Sequence, residues 1–231
     1  MRKLFVPVSV ALLSVLAACQ TLSTPGNTTA PRGPVSVPAP DAVRYTVDPE
    51  HSEVRFLVYK AGPLAAFGHD HTVDARGFKG DVYLAPRFDA SSFSLTLPVA
   101  GFAVDDPASR QTEGPDFAKQ PSPGAVQGTT SNMLGPATLD AAHYPEVLIQ
   151  SVQIGGSEDQ AEITVRITLH GTARDLKLPL VITRAGDDLI ASGSFELKQS
   201  EFGITPFSAV GGGLQVADTL KVKFRILGHK T

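Results

Sequence analysis

His69 and His71 are the residues best suited to chemistry in this chain of 231 residues. They stand two apart, so in a strand both imidazoles share one face and Asp70 points to the other. Two imidazoles side by side can bind zinc or copper, or donate to a phosphate or quinone oxygen. A metal centre needs a third ligand from elsewhere. His51, His143 and His170 are available, but nothing in their spacing brings them near. A structural role, a head-group contact and a metal site all stay open for the pair. Of the two ligand readings, contact with a polar head group is preferred, because no third metal ligand is visible. Other chemistry finds less support. No Gly-x-Ser-x-Gly elbow is present to present a hydrolase serine. Gly211-Gly212-Gly213 leads into a strand rather than a helix, which argues against a phosphate cradle.

The N-terminus carries an address. Arg2 and Lys3 precede the apolar stretch from Leu4 to Val15, and small residues follow before Cys19, the single cysteine. This is the layout of a secretory signal, and its apolar core is too short for a bilayer, which takes about 20 residues. Leu16-Ala17-Ala18-Cys19 also resembles the lipobox of bacterial lipoproteins. That resemblance implies cleavage after residue 18, acylation of Cys19 and a membrane anchor. Gln20 is not acidic, which by the same resemblance favours a periplasmic position on the outer membrane. With its one thiol acylated, the fold would stand without disulfides even in an oxidising compartment. Residues 19–43 are dominated by Pro, Thr, Ser and Gly, with apolar residues scattered singly. Such a composition reads as a disordered tether, able to reach roughly 70 Å if extended.

The elements that must position the histidines begin at about residue 44, and residues 44–231 are read as one domain. Apolar and polar residues alternate through Val54, Phe56 and Val58; through Phe93, Leu95 and Leu97; and through Ile163, Val165 and Ile167. The same rhythm runs through Leu178 and Leu180, then Phe195 and Leu197, where Gly193 interrupts it, and closes with Val222 and Phe224. Period two marks strands with one buried and one wet face. Weaker strands are expected through Thr72–Leu84 and Val147–Ile154. About eight strands joined by turns such as Gly155-Gly156 and Gly186-Asp187 give an all-β antiparallel sandwich or barrel. The stretch Asp105–Pro145 breaks the rhythm. Ser122-Pro123 reads as a helix start, and Pro136 to His143 as a second short helix. The formal charge of −3 argues against a nucleic-acid surface.

Five segments in order carry a resemblance. They are Tyr45-Thr-Val-Asp48 with His51-Ser52, Gly77-Phe78-Lys79-Gly80, Tyr144-Pro145, Leu169-His170-Gly171, and Gln199-Ser200-Glu201-Phe202-Gly203-Ile204. Together they resemble the YceI-like family, in the subset with a Gly68-His69-Asp70-His71 segment and a Gly-rich run near Gly213. The resemblance implies a lipocalin-like, elongated eight-stranded barrel with a short helical excursion. It also implies an apolar interior that holds a long-chain amphiphile, an isoprenoid or fatty-type lipid, without catalysis and without a further cofactor. Phe56, Val58, Phe93, Leu95, Leu97, Ile163, Val165, Ile167, Leu178, Leu180, Phe195, Leu197, Val222 and Phe224 are then the candidate tunnel lining, with His69 and His71 at the head group. The expected partners are the lipid and, through Cys19, a membrane; two barrels could also pair as a homodimer. Period two alone does not distinguish a hollow barrel from a filled one.

Overall fold

The computed structural model describes residues 28–231. The signal and Cys19 lie outside the described residues. The alternating segments form β1 (Val43–Val47), β2 (Glu53–Val58), β3 (His71–Ala75), β4 (Lys79–Leu84), β5 (Ser92–Pro98) and β6 (Phe102–Val104). After two helices, α1 (Pro107–Gln111) and α2 (Pro123–Leu134), follow β7 (Glu146–Ser157), β8 (Gln160–Leu169), β9 (Thr172–Ala185), β10 (Asp188–Lys198) and β11 (Thr219–Lys230). Eight strands close an antiparallel ring in the order β1, β4, β5, β7, β8, β9, β10, β11 and back to β1. Closure of this kind removes most of the exposed edges that an open sheet would leave.

The ring closes unevenly. One edge of β11 pairs with β10 along its whole length. Its other edge is shared: Lys221–Arg225 pair with β2, and Gly228–Lys230 with β1. β2 carries β3, and β3 carries β6, as a flap beside the ring. The chain leaves β6 at one barrel end and makes the 105–145 excursion there.

The strand faces follow the sequence pattern. Ile163, Val165 and Ile167 are buried while Glu162 is exposed, and Val165 sits opposite Leu176, which is wholly buried. One bulge interrupts β7: Thr164 faces Gln153 but Val165 faces Ser151, so Val152 is the extra residue. The buried Ser151 hydroxyl accepts from the Phe93 amide at 3.0 Å, filling the gap the bulge opens. Gly193 breaks the alternation for a steric reason. A Cβ there would lie 2.8 Å from the Phe224 ring, which leans across it.

Three expectations are corrected. The segment Thr72–Leu84 is two strands, because Gly77 turns the chain with φ 65°. Pro136 to His143 forms turns, not a helix. Its polar groups are spent on the end of α2 instead: the Thr138 hydroxyl donates to the Met133 carbonyl at 2.7 Å, and the Leu139 and Ala141 amides cap Met133 and Leu134. Asp140, at φ 46°, then stops any helix. Residues 28–42 of the expected tether lie on the barrel. Thr28–Thr29 pair with β9, the Arg32 amide donates to Asp175 at 2.8 Å, and the Ser36 amide to the Ser151 carbonyl at 2.7 Å. The first half of β9 has no pairing with β10, so its free edge takes Thr28–Thr29, while the Asp175 side chain and the Ser151 carbonyl at the β7 bulge take Arg32 and Ser36, partners that their composition did not reveal.

The excursion is clamped to the outer face of the flap. Buried Arg55 on β2 donates to Asp74 on β3 at 2.7 Å, to Glu113 at 2.7 Å, to Thr112 at 2.8 Å and to Ser109 at 3.0 Å. Lys223 on β11 reaches the same Glu113 at 2.9 Å. Burial alone would push the Glu113 carboxyl up, but Arg55 and Lys223 hold it below its ordinary value. A lowered carboxyl stabilises the fold above its unfolded pKa, near 4, and that contribution fades as pH falls through the folded value. Glu113→Gln should therefore cost stability at pH 7 and progressively less below about pH 4. Denaturant titrations of both proteins at pH 7, 5 and 3 check this; an unchanged difference across that range contradicts it.

Candidate functional site

The barrel is hollow. Its interior holds a cavity of about 330 Å³, within the ~300–1,000 Å³ usual for ligand sites. All fourteen candidate lining residues border it, from Phe56 to Phe224. The side chains on its wall are overwhelmingly apolar. Its polar lining is His71, Thr129, Asn132, Thr138 and Gln199 at one end, and Ser91 at the other. The strand registers place the first group together: His71 pairs with Val58 at the end of β2, and Gln199 follows β10 beside the start of β11. The cavity is thus a greasy tube with one polar end.

The polar end is built by the excursion. Ser122 caps α2 by accepting from the Ala125 amide at 3.3 Å, with Pro123 in the first helical position. Thr129, Asn132 and Met133, spaced i, i+3 and i+4, then fall on one face of α2 and line the cavity. The same Ser-Pro signal that marks the helix start in the sequence fixes this face.

His71 lines the cavity and His69 does not. The two rings lie with centroids 4.5 Å apart. Asp70 turns the opposite way, as alternation requires, and accepts from the Lys60 amide at 2.8 Å. Of the more distant histidines, His170 sits in the turn after β8 at φ 51° against Tyr144, and His51 pairs with Asp48 at the surface. His143 pairs with Asp140, also at the surface. None joins the pair. The partner that does is Asp105, which sequence reasoning missed.

Asp105 ends β6 in a left-handed conformation, φ 55°, unusual for a residue with a side chain. Its carboxylate is buried. One oxygen lies 2.6 Å from His71 Nδ1, and the other accepts from the Thr72 amide at 3.1 Å and from Arg110. Arg110 is itself 1% exposed and also donates to the Asp70 and Lys119 carbonyls, each at 2.8 Å. Burial pushes the Asp105 carboxyl up, but His71 and Arg110 outweigh it and hold the group below its ordinary value. Burial lowers His69, and the neighbouring His71 adds to that. His69 Nε2 is buried without a hydrogen-bond partner among the described residues. One donor atom each from His69, His71 and Asp105 lies within 4.8 Å of the others. A local signal existed: Asp106-Pro107 starts α1, with Asp106 accepting from the Ala108 and Ser109 amides, and this turn brings Arg110 back to Asp105.

Comparison with known proteins agrees with this architecture. The model of the YceI-like domain family matches residues 45–227. The fold is similar to the crystal structure of BcnA from Burkholderia cenocepacia, with a TM-score of 0.58 at 19% identity, over 78% of this chain and 98% of that one. It is similar to a polyisoprenoid binding domain from Saccharophagus degradans implicated in plant cell wall breakdown, with a TM-score of 0.56 at 11% identity, over 82% and 99%. A YceI protein of Campylobacter jejuni superposes with a TM-score of 0.50 at 13% identity, over 69% and 84%. No curated protein matches the chain.

Proposed function

Because the chain belongs to the YceI-like domain family, we propose that it binds and stores or carries a long-chain amphiphile, a polyisoprenoid such as a quinone or prenyl lipid, without catalysing a reaction. The observation that carries this reading is the cavity: an apolar tube, closed by an eight-stranded ring, with its polar groups gathered at one end. An apolar chain entering such a tube gains about 0.8 kcal/mol for each CH₂ buried, so affinity needs no elaborate polar constellation. The head group lies at the polar end, against His71, Asn132 and Gln199. The polyisoprenoid-binding description of the Saccharophagus domain, which shares the fold, supports the choice of lipid. Mass spectrometry of an organic extract of the purified protein tests it. A stoichiometric isoprenoid or fatty-type lipid is expected, and a parent protein that carries none and takes up none from vesicles would end the carrier reading.

The protein works in the periplasm, held to the outer membrane through acylated Cys19. The Leu16-Ala17-Ala18-Cys19 pattern supports this placement. Cys19→Ser should leave the chain unprocessed or release it from the membrane fraction. A Cys19→Ser protein that is cleaved and fractionates like the parent refutes the anchor while leaving the cavity's function untouched.

A further inference from the structure

We propose that His69 and His71 form a site for a single imidazole-preferring divalent metal, zinc or copper, with Asp105 as the outer carboxylate that orients His71. The sequence offered only two ligands and no reason for either to be ready. The structure supplies that reason. Asp105 accepts from His71 Nδ1 at 2.6 Å, which fixes the tautomer and leaves Nε2 as the free nitrogen. A carboxylate bonded to the far nitrogen of an imidazole is the usual support of a metal-ligating histidine. His69 Nε2 is the second nitrogen, and it is buried with no hydrogen-bond partner among the described residues. A buried polar atom left unpaired is costly, and a bound cation would satisfy it. The rings are already side by side, 4.5 Å between centroids. Asp105 stands at a strained φ of 55°, and backbone strain of this kind gathers at ligand sites.

The charges around the site define which ion it takes. Arg110 pairs with Asp105 and neutralises it, so the carboxylate does not act as a free anionic ligand. What remains is a pair of imidazole nitrogen donors, and water supplies the third ligand that a metal centre needs. Such a site holds copper or zinc, and gives magnesium or calcium, which want several oxygens, nothing to bind. Selection by nitrogen affinity rather than by charge is the chemical signature of this proposal, and it holds whatever fills the barrel.

The test uses the purified full chain, stripped with a chelator and titrated separately with Zn²⁺, Cu²⁺, Mg²⁺ and Ca²⁺, with bound metal measured after equilibrium dialysis. One equivalent of Zn²⁺ or Cu²⁺ is expected, with no saturable Mg²⁺ or Ca²⁺ binding. His69→Ala and His71→Ala should each weaken it by more than about tenfold, since losing only the outer support of a metal ligand already costs about 10–100-fold. His143→Ala and His229→Ala, on the surface, should leave it unchanged. The electron paramagnetic resonance spectrum of the Cu²⁺-loaded parent should show coupling to two imidazole nitrogens, a readout that does not depend on any variant folding. No saturable binding, binding that survives loss of both His69 and His71, binding that disappears with His229→Ala, or a copper spectrum without two coupled nitrogens overturns the proposal.

Discussion

Arg110→Ala is expected to destabilise the folded chain by about 3–5 kcal/mol, the usual consequence of removing one partner from a buried ion pair. Arg110 is 1% exposed and its guanidinium holds three things at once: the Asp105 carboxylate and the carbonyls of Asp70 and Lys119. Without it, Asp105 keeps only His71 and the Thr72 amide as partners, and its charge is left buried and unbalanced. The Asp70 and Lys119 carbonyls lose their donor as well. For a domain of this size each kcal/mol shifts the melting temperature by roughly 2–4 °C, so the loss should lower it by roughly 6–20 °C. Arg110→Lys should recover little, because one ammonium cannot span the three acceptors that the planar fork reaches. Thermal melts of parent, Arg110→Ala and Arg110→Lys check this. A shift of a degree or two for the alanine variant would mean that the clamp is peripheral to folding.

The fold was readable because its signal is local and repeated. Alternation at Ile163, Val165 and Ile167 states which face is buried, while the choice of a closed ring over a sandwich came only with the family resemblance. The same alternation marked the inward residues, but that they line a tube rather than fill a core was not in the pattern. The polar end was not, because its residues come from places with no shared period. His71 belongs to a strand, Asp105 to the residue after a three-residue strand, Asn132 to a helix and Gln199 to a 3-10 turn. Their meeting is set by where the excursion folds back, a long-range event for which no window of sequence carries a signal. The packing of residues 28–42 was hidden differently. Their composition predicts disorder, and what orders residues 28–36 is the free edge of β9, the Asp175 side chain and the Ser151 carbonyl on β7, properties of the barrel rather than of the segment.

Val165→Asp should give a folded protein from which the lipid is gone. Val165 lies in the middle of β8, is 2% exposed, and borders the cavity. A carboxylate there meets the ligand's tail on one side and has no lysine or arginine in the lining to pair with. In a solid core the charge would cost several kcal/mol or force the carboxyl to stay protonated, and the chain would unfold. In a cavity of about 330 Å³ water can follow the carboxylate in, since a site holding one water needs only about 10–15 Å³ by that kind of measure. The tail is then displaced, because the hydrated charge and the hydrocarbon compete for the same space. Val165→Leu is the matched control: it stays apolar, narrows the tube and should retain lipid. Two measurements on each variant separate the cases, the melting temperature and the lipid recovered by organic extraction. A folded Val165→Asp protein still carrying its full complement of lipid would place the tail somewhere other than this tube. An unfolded variant, with a parent that also carries no lipid, would mean that the interior serves as a core.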